Sequence, residues 1–198
     1  MMLTEVTAVP DAVLPLAEFR DHLRLGTGFA DLGAEDAALL GYLRAALAAI
    51  EGRTAKALLA RPFSLRLEAW RWGDLQTLPI APVAAVAALR LVDPAGGAVL
   101  ADPAAWRLVA DLARPRLVAT GALLPRIPAG GHVRVEFTAG FGPAWADVPV
   151  DLAQAVFLLA AQYFEFRHDG AGEGAAMPFG VSALIERWRT VRVLGGGA

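Results

Sequence analysis

Apolar residues step by three and four at the two flanks of the chain. From about Ala34 to Ala60, Leu40, Leu43, Leu47, Ile50 and Thr54 form one stripe, the pattern of a helix packed on one side. Glu35 and Asp36 lie in its first turn and Arg61 at its end, the charge order a helix macrodipole favours. Such a helix is about 40 Å long at 1.5 Å per residue. A shorter helix is predicted before it, about Pro15–Leu25, with proline in the first turn and Leu16, Phe19 and Leu23 on one side, His22 at their margin. The stretch Gly26–Gly33 breaks it. A third helix, about Val150–Arg167, has polar residues only at Asp151, Gln154, Gln162, Glu165 and Arg167, so most of its circumference must be buried. The last, about Phe179–Trp188, sets Val181, Leu184, Ile185 and Trp188 on one face. Thr190–Leu194 then alternates as an extended tail.

In the middle of the chain the period drops to two. Across Ser64–Trp72, Leu65, Leu67 and Ala69 alternate with Arg66, Glu68 and Trp70, and Trp70 and Trp72 fall on the same face of the predicted strand. Val83–Val92 runs into Asp93-Pro94-Ala95-Gly96-Gly97, a hairpin turn. Trp106–Val109 and Arg116–Val118 are weaker strands. Pro128–Gly131 turns into His132–Thr138, where Val133, Val135 and Phe137 alternate with Arg134 and Glu136. Proline placement agrees: none lies between Leu16 and Arg61, and eight lie between Pro62 and Gly142. Proline is excluded from helix interiors but tolerated at turns and strand edges. The fold class expected is therefore α+β: a helical bundle core of about four helices, residues 1–61 and 143–198, with an inserted small antiparallel β-sheet or barrel, residues 62–142.

Composition adds a reason to expect partners. Hydrophobic residues make up 56% and charged residues 19%, more apolar and less charged than a typical lone globular chain, although alanine supplies much of the excess. Surface covered by other subunits is one outlet for such a surplus. The formal net charge of −2 is not that of a dedicated nucleic-acid binder. The absence of cysteine rules out disulfides and thiolate metal sites. No signal-peptide pattern opens the chain, and Leu152–Phe166 is too short and too interrupted to span a membrane. A soluble protein, intracellular when made, is expected.

The chemistry of catalysis is thin. His22, His132 and His168 share no metal-ligand spacing, and neither Ser64 nor Ser182 sits in a nucleophile motif. Gly170, Gly172 and Gly174 follow a helix and precede no lysine, so His168–Pro178 is expected to act as a flexible linker, not a phosphate loop. Glu165 and His168 are accounted for by a helix C-terminus. Trp70 and Trp72 would suit base or sugar stacking, but packing explains them as well. No catalytic residue, cofactor or metal is expected.

The order of these segments resembles the head–tail connector (adaptor) proteins of long-tailed phages and gene transfer agents, in particular the larger members with a β insertion. The resemblance is carried by Leu14–Leu25 (LPLAEFRDHLRL), Glu35–Thr54 (EDAALLGYLRAALAAIEGRT) and Leu78–Gly97 (LPIAPVAAVAALRLVDPAGG). Val133–Gly142 (VRVEFTAGFG), with Val148–Arg167 (VPVDLAQAVFLLAAQYFEFR) after it, is the most specific part. Pro178–Arg189 (PFGVSALIERWR) resembles the closing helix, with Trp188 as the aromatic before the last arginine. The resemblance implies a structural protein of the virion or phage-like particle neck, made in the bacterial cytoplasm, in a prophage or gene transfer agent setting. It implies a ring oligomer, normally a dodecamer, between the portal protein and a stopper or tail-completion protein. DNA passes through the lumen without specific binding. The chain departs from the family in the short segment after Arg189.

Portal binding is expected at the C-terminal segment, on Arg187, Trp188, Arg189, Val191, Arg192, Val193 and Leu194. An aromatic flanked by arginines is enriched at interface hot spots. The bland alternative is that Trp188 packs on the third helix and the tail is frayed. A different class of function also stays open: a small-molecule-binding domain or enzyme with a pocket between the β insertion and the third helix, built on Trp70, Trp72 and His132. Another tail-completion subunit with a similar helical core is a third possibility.

Overall fold

The computed structural model describes residues 1–25, 32–167 and 177–189. These divide into two compact units: Met1–Pro10 with Ala57–Asp147, and Asp11–Lys56 with Val148 onwards.

The first unit is β-rich. Strand β1 (Met2–Glu5) comes from the N-terminal segment, and β2 (Arg61–Leu67), β3 (Leu75–Thr77), β4 (Val83–Val92), β5 (Ala98–Leu100), β6 (Trp106–Val109), β7 (Arg116–Ala119) and β8 (His132–Ala139) follow. They form an antiparallel five-stranded sheet, ordered β1-β2-β8-β4-β5, and a three-stranded sheet, β3-β7-β6; neither closes into a barrel. Alternation places the core. Phe63, Leu65 and Leu67 of β2 stand opposite Phe137, Val135 and Val133 of β8, and all six are buried. Leu89 of β4 and Leu117 of β7 join the same cluster, and Phe63 and Phe137 stack 5.9 Å apart. The alternation seen in the sequence beyond Leu67 does not continue the strand: β2 ends there, opposite Val133, because β8 begins one residue earlier, next to the turn at Pro128–Gly131. Trp70 and Trp72 therefore lie in irregular chain, not on a strand face.

The chain's entry into this unit and its exit run side by side. Leu59 bridges Gly142, the Ala60 amide donates to the Gly142 carbonyl, and the Phe141 amide to that of Leu58. Gly140 has φ +138°, and a Cβ there would lie 2.3 Å from Ala60 Cα. Only glycine meets both demands.

The second unit has four α-helices among the described residues: α1 (Leu16–His22), α2 (Leu32–Thr54), α3 (Val150–Glu165) and α4 (Phe179–Ile185), the last continued by a 3₁₀ turn, Glu186–Trp188. Leu39, Leu43, Ala46, Leu47, Ile50 and Thr54 form the buried stripe of α2, with Leu39 deeper than the predicted Leu40. That helix stops six residues short of the expected Ala60. The Thr54 hydroxyl bonds back to the Ile50 carbonyl, and Ala55 turns to φ 54°, which no α-helix accommodates. Phe19 of α1 is fully buried against Phe157 of α3, ring centroids 5.9 Å apart, while Tyr42 and Phe164 meet edge to face. Ion pairs Arg20–Asp36 and Arg44–Asp11 tie the N-terminal part to α2.

Candidate interaction surface

Two of the C-terminal residues that the sequence singles out, Arg187 and Trp188, meet at one carboxylate. Pro149 precedes α3 and Asp151 stands in its first turn. Asp151 Oδ2 accepts a hydrogen bond from Trp188 Nε1 at 2.7 Å and pairs with Arg187 Nε at 2.7 Å. The Arg187 guanidinium also lies 4.8 Å from the Trp188 ring centroid. Val181 and Ile185 beneath are buried, so the predicted stripe does face inward on α4. Trp188 is half-buried, whereas Arg187 is largely exposed and Arg189 pairs with Glu186 on the surface. Arg187 and Trp188 are thus brought together at Asp151, and Arg189 is not. Val191, Arg192, Val193 and Leu194 lie outside the described residues, as do His168 and the Gly170–Gly174 stretch.

Sequence reasoning missed Asp151 as a partner for Trp188. It appears in the chain only as a first-turn acid, and nothing local announces a partner 37 positions away. It also missed Phe179 and Val150, which are 90% and 85% exposed at the starts of their helices. Exposed apolar side chains on helix ends are available to a partner. A cleft of about 520 Å³ opens in the same unit, lined by His22, Leu158, Gln162, Glu165, Phe166 and Val181 among others. Its lining is mainly apolar, and His22 is stacked on Phe19 and 5.6 Å from Phe157.

The residues considered for a small-molecule site have other engagements. Trp70 packs on the β core and its Nε1 donates to the Pro125 carbonyl at 2.8 Å, while Trp72 is exposed. His132 opens β8 opposite Val92. Loss of hydration holds its imidazole below the ordinary 6.5, with Arg66 and Arg134 acting in the same direction and Glu68 against them. Among the described residues no group of three or more His, Cys, Asp or Glu side chains could hold a metal ion, and no helix is long and apolar enough to cross a membrane.

No family model and no curated protein matches the chain. Solved structures do. A chain in the neck of an empty gene transfer agent (GTA) particle, computed with C6 symmetry, is 75% identical over 99% of both chains, with a TM-score of 0.90. A chain in the virion of a native GTA particle is 75% identical over the same shares, TM-score 0.88. A third, in the neck of a native GTA particle computed with C12 symmetry, is 69% identical over 99% of both chains, TM-score 0.86.

Proposed function

Because this chain belongs to the neck proteins of gene transfer agent particles, we propose that it is the adaptor subunit of such a neck. In this reading it forms a ring between the portal and the stopper or tail proteins, and DNA passes through the lumen. The observation that carries the reading is the near-full-length identity of 75% to a chain of a GTA neck. Its relatives occur in necks computed with both C6 and C12 symmetry. Twelve copies about one axis satisfy both, because six-fold rotations are a subset of twelve-fold ones. Six copies would satisfy only the first. With 18 basic against 20 acidic side chains, the ring would hold few phosphates, and each phosphate contact forgone removes affinity that would slow passage.

Portal binding is assigned to Arg187, Trp188, Arg189, Val191, Arg192, Val193 and Leu194. The Asp151 bond gives Trp188 a structural duty as well, so the arginines and the tail are the better probes. Deleting Thr190–Ala198 and replacing Arg187 and Arg189 with alanine should leave heads that fail to join tails, with a melting temperature close to that of the parent. Normal tailed particles from this variant would end the portal assignment. A neck lacking the chain altogether, seen by particle imaging, would end the adaptor reading. No observation favours the small-molecule or enzymatic alternative.

A further inference from the structure

Among the described residues, the five-stranded sheet ends in two strands that have no outer neighbour, β1 on one side and β5 on the other. Every residue of both is exposed. The side chains are mostly apolar: Met2 and Leu3 on β1, followed by Val6, and Val99 and Leu100 on β5, at 67% and 56% exposure. Edges of this kind are ordinarily blunted by lysine, proline or a bulge. Neither strand contains lysine or proline, and neither pairing has a register shift.

The hydrogen-bond pattern shows which backbone groups are free. In an antiparallel ladder, residues alternate between bonding the partner and facing away from it. The Val6 amide bonds the Pro62 carbonyl, so Thr4 and Met2 also face β2, while Leu3 and Glu5 face outward. The Ala101 amide bonds Leu89 and the Asp93 amide bonds Gly97, so Val99 faces β4, while Ala98 and Leu100 face outward. Each edge therefore offers two residues' worth of unpaired donors and acceptors.

Direction decides what fits there. Every neighbouring pair in the sheet is antiparallel, and β5 is four steps from β1, so the two edge strands point the same way. Rotation about one axis carries a strand to its neighbour without reversing it. Copies arranged in a ring therefore bring β5 of one beside β1 of the next in parallel, a heterologous contact that repeats until it closes. A two-fold dimer would instead pair like edges.

We propose that β5 of each copy adds to β1 of the next copy around the ring, with Leu3 beside Val99, making a sheet continuous between subunits. This rests on the adaptor-ring reading above. Leu3 lies across from Leu65, and Val99 from Leu91, on the face of the sheet that carries the core, so an apolar pair extends that face. The alternative register sets Glu5, already ion-paired to Arg61, against Val99. Five strands at about 4.8 Å span about 24 Å, so twelve copies joined in this way would make a circle about 90 Å across at the sheet.

The test uses assembled particles carrying Leu3→Cys and Val99→Cys together. The chain has no cysteine of its own, and within one copy the two sites are about four strand spacings, or 19 Å, apart, far beyond disulfide reach. Mild oxidation should give a ladder of chain multimers on a non-reducing gel that collapses on reduction, with neither single variant doing so. A second arm uses Leu100→Pro, which removes an outward amide that the parent sheet does not use; the chain should fold with an unchanged circular dichroism spectrum but lose ring formation. Particles with a twelve-fold neck containing the chain but yielding no ladder, or a Leu100→Pro chain that still forms rings, overturn the edge pairing alone. Particles whose neck lacks the chain overturn the adaptor reading beneath it.

Discussion

The two units hold their residues by different means. The β unit builds one core from alternate positions of several short strands, so that Phe63, Leu65, Val133, Val135 and Phe137 each face neighbours on both sides. The helical unit relies on a few long contacts between helices, such as Phe19 on Phe157 and Tyr42 on Phe164. In the first, hydrogen bonds between strands set the register of the packing. In the second, side-chain packing does, supplemented by single anchors such as the Asp151–Trp188 bond.

The largest effects should come from the two cores. Phe137→Ala and Phe19→Ala each remove a buried aromatic, at about 3–5 kcal/mol. Calorimetry should show Phe137→Ala lowering one transition and Phe19→Ala another. A single transition shifted equally by both would mean that the two units unfold as one. Next, Trp188→Ala removes a hydrogen bond to a charged acceptor, a class of interaction contributing about 1.5–3 kcal/mol. It should lower the helical transition by about that amount and leave the β transition where it is. If Trp188→Phe keeps full stability, packing outweighs the bond to Asp151.

How far these contrasts could be read from the chain depends on whether the cause was local. The alternation of Val133, Val135 and Phe137 announces β8, because a strand buried on one face must alternate. β1 carries no such mark: all four of its residues are exposed, and only pairing with β2 makes it a strand. The three residues of β3 are too few for a period to show. Trp70 and Trp72 misled because alternating residue types continued after the partner strand had run out. The end of α2 was illegible, since Ala55 turns left-handed without glycine or proline to signal it. In the candidate surface, Arg187, Trp188 and Arg189 were visible as an aromatic among arginines. Asp151 was not visible as the partner of Arg187 and Trp188, because only the packing of α4 on α3 brings it there.

The smallest expected effect is a pH dependence belonging to the β unit. The folded His132 imidazole titrates below 6.5, near which an unfolded one titrates. Above that value it is neutral in both states and its contribution is intact. As pH falls below it the unfolded chain takes the proton first, so stability declines until the folded form is protonated too. His132→Gln should flatten this decline in acid denaturation of the β transition and leave the helical one unaltered. An unchanged slope would assign the acid sensitivity to other groups.

The bridged entry and exit segments at Leu58–Ala60 and Phe141–Gly142 have a consequence for the order of folding. Ninety-five residues, 55–149, separate α2 from α3 along the chain, and an unstructured tether of that length would have to be closed each time those helices meet. Loop-closure entropy grows with the logarithm of the length. Once the β unit has formed, its two ends are held side by side, and to the helices the tether is only as long as the gap between those ends. During synthesis α2 emerges well before α3, and the zipped ends convert a distant partner into a near one. A side chain at Gly140, which is wedged against Ala60, should therefore slow the meeting of the helices as well as strain the fold, by leaving them a longer tether to close.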